Sequence, residues 1–225
     1  MHQVLRIGHR GAAGHAPENT LAAIQKGIAL GADFVEIDLR RTADGVLVAL
    51  HDRTVNRTTD GRGRIDRLSL QEVKKLKAGN GEHIPTLEEV LKMAGGRAGL
   101  VLELKAKGLA QQTVELVRAA EFRDPVVYAS FLQDELTHVR MADPEASLMV
   151  LFRGLPRVSV TRAMRYGPSY VGLRHRTATR RLVDAFHLAN LLVFVFTANT
   201  SRAIQRAISV GVDGIISNFP ERIEK

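Results

Sequence analysis

Glu36, Asp38 and His51 fall within the stretch Val35–Asp52, and their types are those of a metal-assisted acid/base site. The stretch reads as a strand, a tight turn and a returning strand, because Asp44-Gly45 suits the two positive-φ positions of a two-residue hairpin loop. With that loop, Ala43 pairs with Val46, Arg40 with Ala49 and Asp38 with His51. Strand alternation sets Glu36 and Asp38 on one face. Two carboxylates and an imidazole then converge through local geometry alone.

A larger frame must hold this hairpin. Short β-type apolar runs alternate with helical patterns along the chain. The expected strands are Val4–Gly8, Phe34–Leu39, Leu100–Leu104, Val126–Ser130, Leu148–Phe152, Tyr170–Leu173, Leu192–Phe196 and Gly214–Ser217. The expected helices are Glu18–Leu30, Thr86–Ala94, Ala110–Glu121, Asp134–Ala142, Arg157–Arg165, Thr179–Ala189 and Ser201–Val210. Pro17 and Pro85 are good helix starters, and Gly31 and Gly211 good stops. Eight strands, seven of them followed by a helix, predict an α/β chain folded as a (β/α)8 TIM barrel, since strand–helix–strand crossovers keep one hand. One domain over residues 1–225 is expected, with a short insertion over residues 53–85 at the barrel mouth after the second strand.

In such a barrel, reactive groups gather at the C-terminal ends of the strands. The first strand ends in His9-Arg10-Gly11. The third places Glu103 and Lys105 opposite Leu100, Leu102 and Leu104. The seventh ends in Phe196-Thr197-Ala198-Asn199, and the eighth in Ser217-Asn218-Phe219-Pro220. Taken singly, a Glu at a strand end is usually solvated and a His usually structural. Inward carboxylates on two strands are different, because they repel and desolvate one another unless a cation holds them. Three carboxylates without cysteine describe a hard-cation site, so Mg²⁺ or Ca²⁺ is expected ahead of zinc. Beside it, His9 and His51 offer an acid and a base, while Arg10 and Lys105 would neutralise an anionic diester. The residues alone point to metal-assisted phosphodiester cleavage.

Composition narrows the alternatives. The chain has 225 residues, 45% of them hydrophobic, which suffices for a sizeable core. Having no cysteine, it has no disulfides, thiolate metal sites or cysteine nucleophiles. No apolar run nears the roughly 18 residues that span a bilayer, and Met1–Arg10 lacks a secretory pattern. A cytoplasmic location without stable membrane insertion is therefore expected. The net charge of +8 attracts phosphates, anionic lipid or nucleic acid. Between Ala146 and Val183 lie eight Arg and no acidic residue, and residues 53–85 hold eight Lys/Arg against four Asp/Glu. Most of these eight Arg are expected on outer helices with no specific role; Arg153 and Arg174-His175-Arg176 follow strand ends and could face the mouth, where they would favour a more anionic alcohol group or an encounter with anionic lipid. No aromatic-and-basic alternation accompanies the charge, so no nucleic-acid partner is expected.

The motifs His9-Arg10-Gly11, Pro17-Glu18-Asn19-Thr20, Glu36-Ile37-Asp38, His51-Asp52 and Glu103-Leu104-Lys105 occur in that order. With the late Phe-Thr-Ala-Asn and Ser-Asn-Phe-Pro, the set resembles the glycerophosphodiester phosphodiesterases over about residues 4–221. The resemblance implies a (β/α)8 barrel that hydrolyses glycerophosphodiesters to an alcohol and glycerol 3-phosphate. It implies Glu36, Asp38 and Glu103 as metal ligands, His9 and His51 as the acid/base pair, and Arg10 and Lys105 as phosphate contacts. Glu18, Asn19, Phe131, Phe196 and Asn199 match further positions that line the substrate site. Residues 53–85 resemble a short form of the family's mouth-capping insertion. Two departures stand out: Phe196 replaces a Trp, keeping an aromatic wall but losing an N–H donor, and Asn218 replaces an Asp, removing a charge near the rim; neither is expected to touch the metal or the histidine pair. A lysophospholipase D-like reaction on the same scaffold is the nearest alternative, and would need an apolar channel for an acyl chain. A non-catalytic basic barrel that binds nucleic acid or membrane is the other, and would not need the histidines and acids.

Overall fold

The computed structural model describes residues 3–154 and 160–224. Its centre is a closed barrel of eight parallel strands: β1 (Leu5–His9), β2 (Phe34–Arg41), β4 (Gly99–Leu104), β5 (Val126–Ser130), β6 (Ser147–Phe152), β7 (Tyr170–Arg174), β8 (Leu192–Phe196) and β9 (Gly214–Ser217). Pairing of β1 with both β2 and β9 closes the ring. Helices α1 (Leu21–Ala29), α3 (Leu87–Ala94), α4 (Ala110–Ala119), α5 (Gln133–Ala142), α6 (Val160–Met164), α7 (Arg180–His187) and α8 (Ser201–Ser209) connect the strands. This is the expected (β/α)8 architecture. Among the described residues, no helix is long and apolar enough to cross a membrane.

Period-two alternation divides the apolar residues between two layers. Leu100, Leu102 and Leu104 of β4 face the helices with Val35, Ile37 and Leu39 of β2. Ile7, Phe34, Val101, Val127, Met149, Leu151, Phe194 and Ile216 fill the barrel interior. The interior is full enough to require glycine at Gly172, where an added Cβ would stand 2.3 Å from Leu151 Cδ2. On β2 the inward row runs from apolar Phe34 to acidic Glu36 and Asp38, so polar chemistry begins where the apolar packing ends.

The hairpin differs by one residue from the sequence expectation. Strand β3 (Leu47–Ala49) pairs antiparallel with β2, Arg40 opposite Val48 and Leu39 opposite Ala49. Thr42 N donates to the Val46 carbonyl at 2.9 Å, leaving a three-residue loop with Gly45 at φ +88°. Such a loop is a turn followed by a left-handed glycine, a second geometry that Asp-Gly serves well. Asp38 therefore faces Leu50, whose N–H donates to the Asp38 carbonyl at 2.9 Å, and not His51. His51 lies beyond the end of β3.

Two helix boundaries also move. The first helix starts at Leu21, not Glu18, because Asn19 adopts φ +59° and the Thr20 hydroxyl caps the helix by accepting from Ala23 N. The expected helix Arg157–Arg165 is observed as α6; residues 157–159 lie outside the described residues. The excursion after β3 contains a short 3-10 turn (Ile65–Arg67) and α2 (Leu70–Val73). It packs its own apolar group, Val55, Ile65, Val73 and Ile84, against Val48 and Leu50.

Candidate active site

Neighbouring strands β1, β2 and β4 carry the acids and His9 to one rim. Glu36, Asp38 and Glu103 each offer a carboxylate oxygen, all within 4.8 Å of one another. Parallel register sets this up, since Asp38 pairs with Glu103 and His9 with Glu36. Asn19 is pinned beside them by its left-handed turn: its Nδ2 donates to Asp38 Oδ2 at 3.0 Å and its Oδ1 accepts from Asp38 N at 3.2 Å. Lys105 Nζ donates to Glu103 Oε1 at 2.6 Å and stands 3.2 Å from Asp38 Oδ1.

Arg10 crosses the same floor. Its N–H donates to Glu36 Oε2 at 2.9 Å and its Nη1 to Glu18 Oε1 at 2.6 Å. Its Nε lies 3.1 Å from Asp38 Oδ2 but lacks hydrogen-bond geometry, leaving a buried donor unsatisfied. A buried unsatisfied guanidinium N–H is costly, which marks this as a place for an acceptor from outside the chain.

The carboxylates do not share one state. Burial, then repulsion from Asp38, raises Glu103, and burial with Asp38 and Glu103 raises Glu36 well above the ordinary range. Burial would also raise Asp38, but Lys105 and Arg10 overcome it and hold it low. One oxygen each of Glu36 and Glu103 has no donor among the described residues, and both residues line a cavity of about 40 Å³ with His9, Phe131 and Phe196. Crowded oxygens with too few donors suit a hard divalent cation, whose charge would remove the repulsion. That is the chemistry expected of Mg²⁺ or Ca²⁺.

The histidines have different supports. His9 Nδ1 shares a 2.6 Å hydrogen bond with Asn218 Oδ1, and its Nε2 lies 3.9 Å from Glu36 Oε2. Burial, then Arg10, lowers its pKa to about 4, so the contact with Glu36 is no ion pair near neutral pH. His51 Nδ1 bonds Asp52 Oδ1 at 2.6 Å. Burial lowers His51 too, against the pull of Asp38, which lies near enough to act on it despite the shifted hairpin register.

Sequence reasoning missed Arg57 and undervalued Asn218. Arg57 Nε donates to Asp52 Oδ2 at 2.7 Å, and its Nη1 and Nη2 to Glu18 at 2.8 and 2.7 Å. These bonds hold Asp52 well below the usual carboxylate range and complete a chain from His51 through Asp52, Arg57 and Glu18 to Arg10. Asn218 was expected to affect only the rim, yet it holds His9. Phe131 and Phe196 meet edge to face at 5.8 Å. Asn199 lines neither this cavity nor the cleft beside it; its Oδ1 accepts from Asn218 N at 2.9 Å and so steadies the loop that holds His9. Arg153 lies 4.5 Å over the Phe131 ring, whereas exposed Arg174 and Arg176 line neither space.

Known proteins match this geometry and sequence. A curated glycerophosphodiester phosphodiesterase of Caldanaerobacter subterraneus is 34% identical over 239 residues, covering 98% of this chain and 96% of that protein. A phosphodiesterase of Oleispira antarctica, solved in complex with the product sn-glycerol-3-phosphate, superposes with a TM-score of 0.91 at 31% identity, covering 98% of this chain and 94% of that one. A glycerophosphodiester phosphodiesterase of Agrobacterium tumefaciens gives 0.85 at 28% identity, with 99% of both chains covered. The profile of the glycerophosphoryl diester phosphodiesterase family matches residues 9–222, and this chain belongs to that family.

Proposed function

We propose that this protein hydrolyses water-soluble glycerophosphodiesters to an alcohol and glycerol 3-phosphate, using a divalent metal and the pair His9 and His51. The observation that carries the reading is the convergence of two imidazoles, three carboxylates and two cations on one rim of the barrel. Glu36, Asp38 and Glu103 would hold the metal, which supplies positive charge against the developing charge on phosphorus oxygens. Arg10, with its unsatisfied Nε, and Lys105 bind and orient the diester. Glu18 and Asn19 hold Arg10 and Asp38 in place, and Phe131 and Phe196 form an apolar wall.

Neutral His9 is suited to accept the proton of the nucleophile, either water or the substrate's glycerol 2-hydroxyl. His51, backed by the ionised Asp52, is the better carrier of positive charge and donates to the departing alkoxide. A new P–O bond forms at the nucleophile as the P–O bond to the alcohol breaks. An assay over glycerophosphodiesters with added Mg²⁺ or Ca²⁺ tests the whole reading: EDTA and His9→Ala should each abolish turnover. The division of roles has its own test. A p-nitrophenyl diester needs no proton donor, so His51→Ala should lose far less activity on it than on an alkyl diester; equal losses would reject His51 as the acid.

The geometry disfavours an acyl-chain substrate. The apolar-walled space is about 40 Å³, and the cleft of about 730 Å³ beside it is bordered by seven Lys/Arg.

A further inference from the structure

We propose that the mouth of the barrel carries a second anion subsite, formed by Arg40, Arg53 and Arg153, which selects glycerophosphodiesters whose alcohol bears a further phosphate. The proposal rests on the phosphodiesterase reading and names the substrate class of that same site.

The subsite is the next inward step of the strands that frame the reaction centre. On β2, the inward row Phe34, Glu36, Asp38 continues to Arg40, which is only 9% exposed. Past β6, the row Met149, Leu151 continues to Arg153. Past β4, Glu103 is followed in the same way by Lys105, but that ammonium is already engaged with Asp38 and Glu103. Among the described residues, no carboxylate lies within ion-pair distance of Arg40, Arg53 or Arg153. Arg40 spends only its Nε, on the His51 carbonyl at 2.8 Å, and Arg153 stacks on Phe131.

Arg53 and Arg153 are exposed and solvated, and buried Arg40 has no hydrogen-bond partner for its two Nη atoms among the described residues, so all three guanidinium groups can take an acceptor from solution. Burial works against the charge on Arg40 and Arg53 opposes it, while Asp38, Asp52 and Glu103 support it. An anion from solution would add to that support and offset the repulsion from Arg53. The space for it exists: the cleft they border measures about 730 Å³ and is lined by seven Lys/Arg against two Asp/Glu. It shares Glu103 and Phe131 with the cavity at the carboxylates, so a diester seated at Lys105 extends one arm into it. Planar guanidinium forks match phosphate oxygens in pairs, which suits a phosphate more than a carboxylate-free polyol.

The test uses the metal-supplemented full chain and three substrates that differ only at the far end of the alcohol: glycerophosphoglycerol, its terminal phosphate monoester, and the methyl diester of that phosphate. Wild type should favour the phosphorylated compounds in kcat/KM by about tenfold or more at low salt. The double variant Arg53→Gln/Arg153→Gln should bring that ratio close to one, and any loss common to all substrates cancels in the ratio. Preference for the monoester assigns a phosphorylated headgroup; preference for the diester assigns a chain of repeated glycerophosphate units. A wild-type ratio near one, or a ratio the variant leaves unchanged, overturns the subsite. If no compound turns over, the phosphodiesterase reading fails separately, and calorimetric Kd values for the same three compounds still decide the subsite by the same ratio.

Discussion

His9 and His51 are alike in sequence terms, and the structure separates them through the atom each Nδ1 meets. His51 meets a carboxylate, Asp52, and His9 a neutral amide, Asn218. A carboxylate at residue 218 would add charge attraction to the same hydrogen bond and stabilise the imidazolium. Asn218→Asp should therefore raise the His9 pKa from about 4. A base must be neutral to act, so the acidic limb of the kcat/KM profile should move to higher pH, by about one unit. A pH–rate profile with its acidic limb unmoved would show that His9 is not the base. The contact itself joins residues 209 positions apart. Alternation along β1 shows where His9 points, but only closure of the barrel between β1 and β9 brings Asn218 to it. Local pattern placed the reactive group and could not place its partner.

The excursion after β3 reaches the site residues directly. Through Arg57 it ties Glu18, next to Arg10, to Asp52, next to His51. The Arg57 side chain is 49% exposed, so its ion pairs add little to global stability, about 1 kcal/mol at most. Its effect on the reaction should be larger, because Arg10 and His51, the proposed phosphate contact and proposed acid, both lose their orientation. Arg57→Gln should lower kcat about tenfold with Tm nearly unchanged. A fall in Tm that parallels the lost activity would assign Arg57 a structural role instead. The hairpin makes a sharper stability prediction. Gly45 sits at φ +88° with nothing within 4 Å of its absent Cβ, so Gly45→Ala tests backbone strain alone and should cost about 1 kcal/mol by chemical denaturation. These elements also show why a pattern can be read correctly and registered wrongly. Asp44-Gly45 announces a turn, but the same dipeptide fits a two-residue or a three-residue loop. The Thr42 hydroxyl decides between them by accepting from Val46 N at 2.9 Å and donating to Asp44 at 2.6 Å. Helix starts were misread for a similar reason: Pro17 permits a helix, while Thr20 caps the one that forms.

Across the whole molecule, repetition made the barrel readable. Eight strand patterns at regular spacing constrain one another, so an error at one boundary leaves the topology intact. Convergence of Glu36, Asp38 and Glu103 followed from that topology, because parallel neighbours present equivalent rows at the same rim. The same convergence stores repulsion, and this has a measurable sign. Glu36 and Glu103 have folded pKa values above their ordinary 4.5. Above pH 4.5 the unfolded chain gives up protons that the folded chain still holds, so stability of the metal-free protein falls as pH rises through the raised values. Asp38, held low by Lys105 and Arg10, changes stability in the opposite sense, but only below its ordinary 3.8. A divalent cation bound at the three carboxylates favours their ionised forms and should restore what repulsion removes. The Tm gain on adding Mg²⁺ or Ca²⁺ should thus grow as pH rises above 4.5, reaching about 3 kcal/mol of stabilisation at a hundredfold excess over Kd. Glu36→Gln removes one repelling charge and one proposed ligand together. It should make the metal-free protein at least as stable as wild type at neutral pH while losing most of the metal-dependent gain. Loss of stability in the metal-free variant, with the metal response intact, would mean that Glu36 is a structural residue and the cation binds elsewhere.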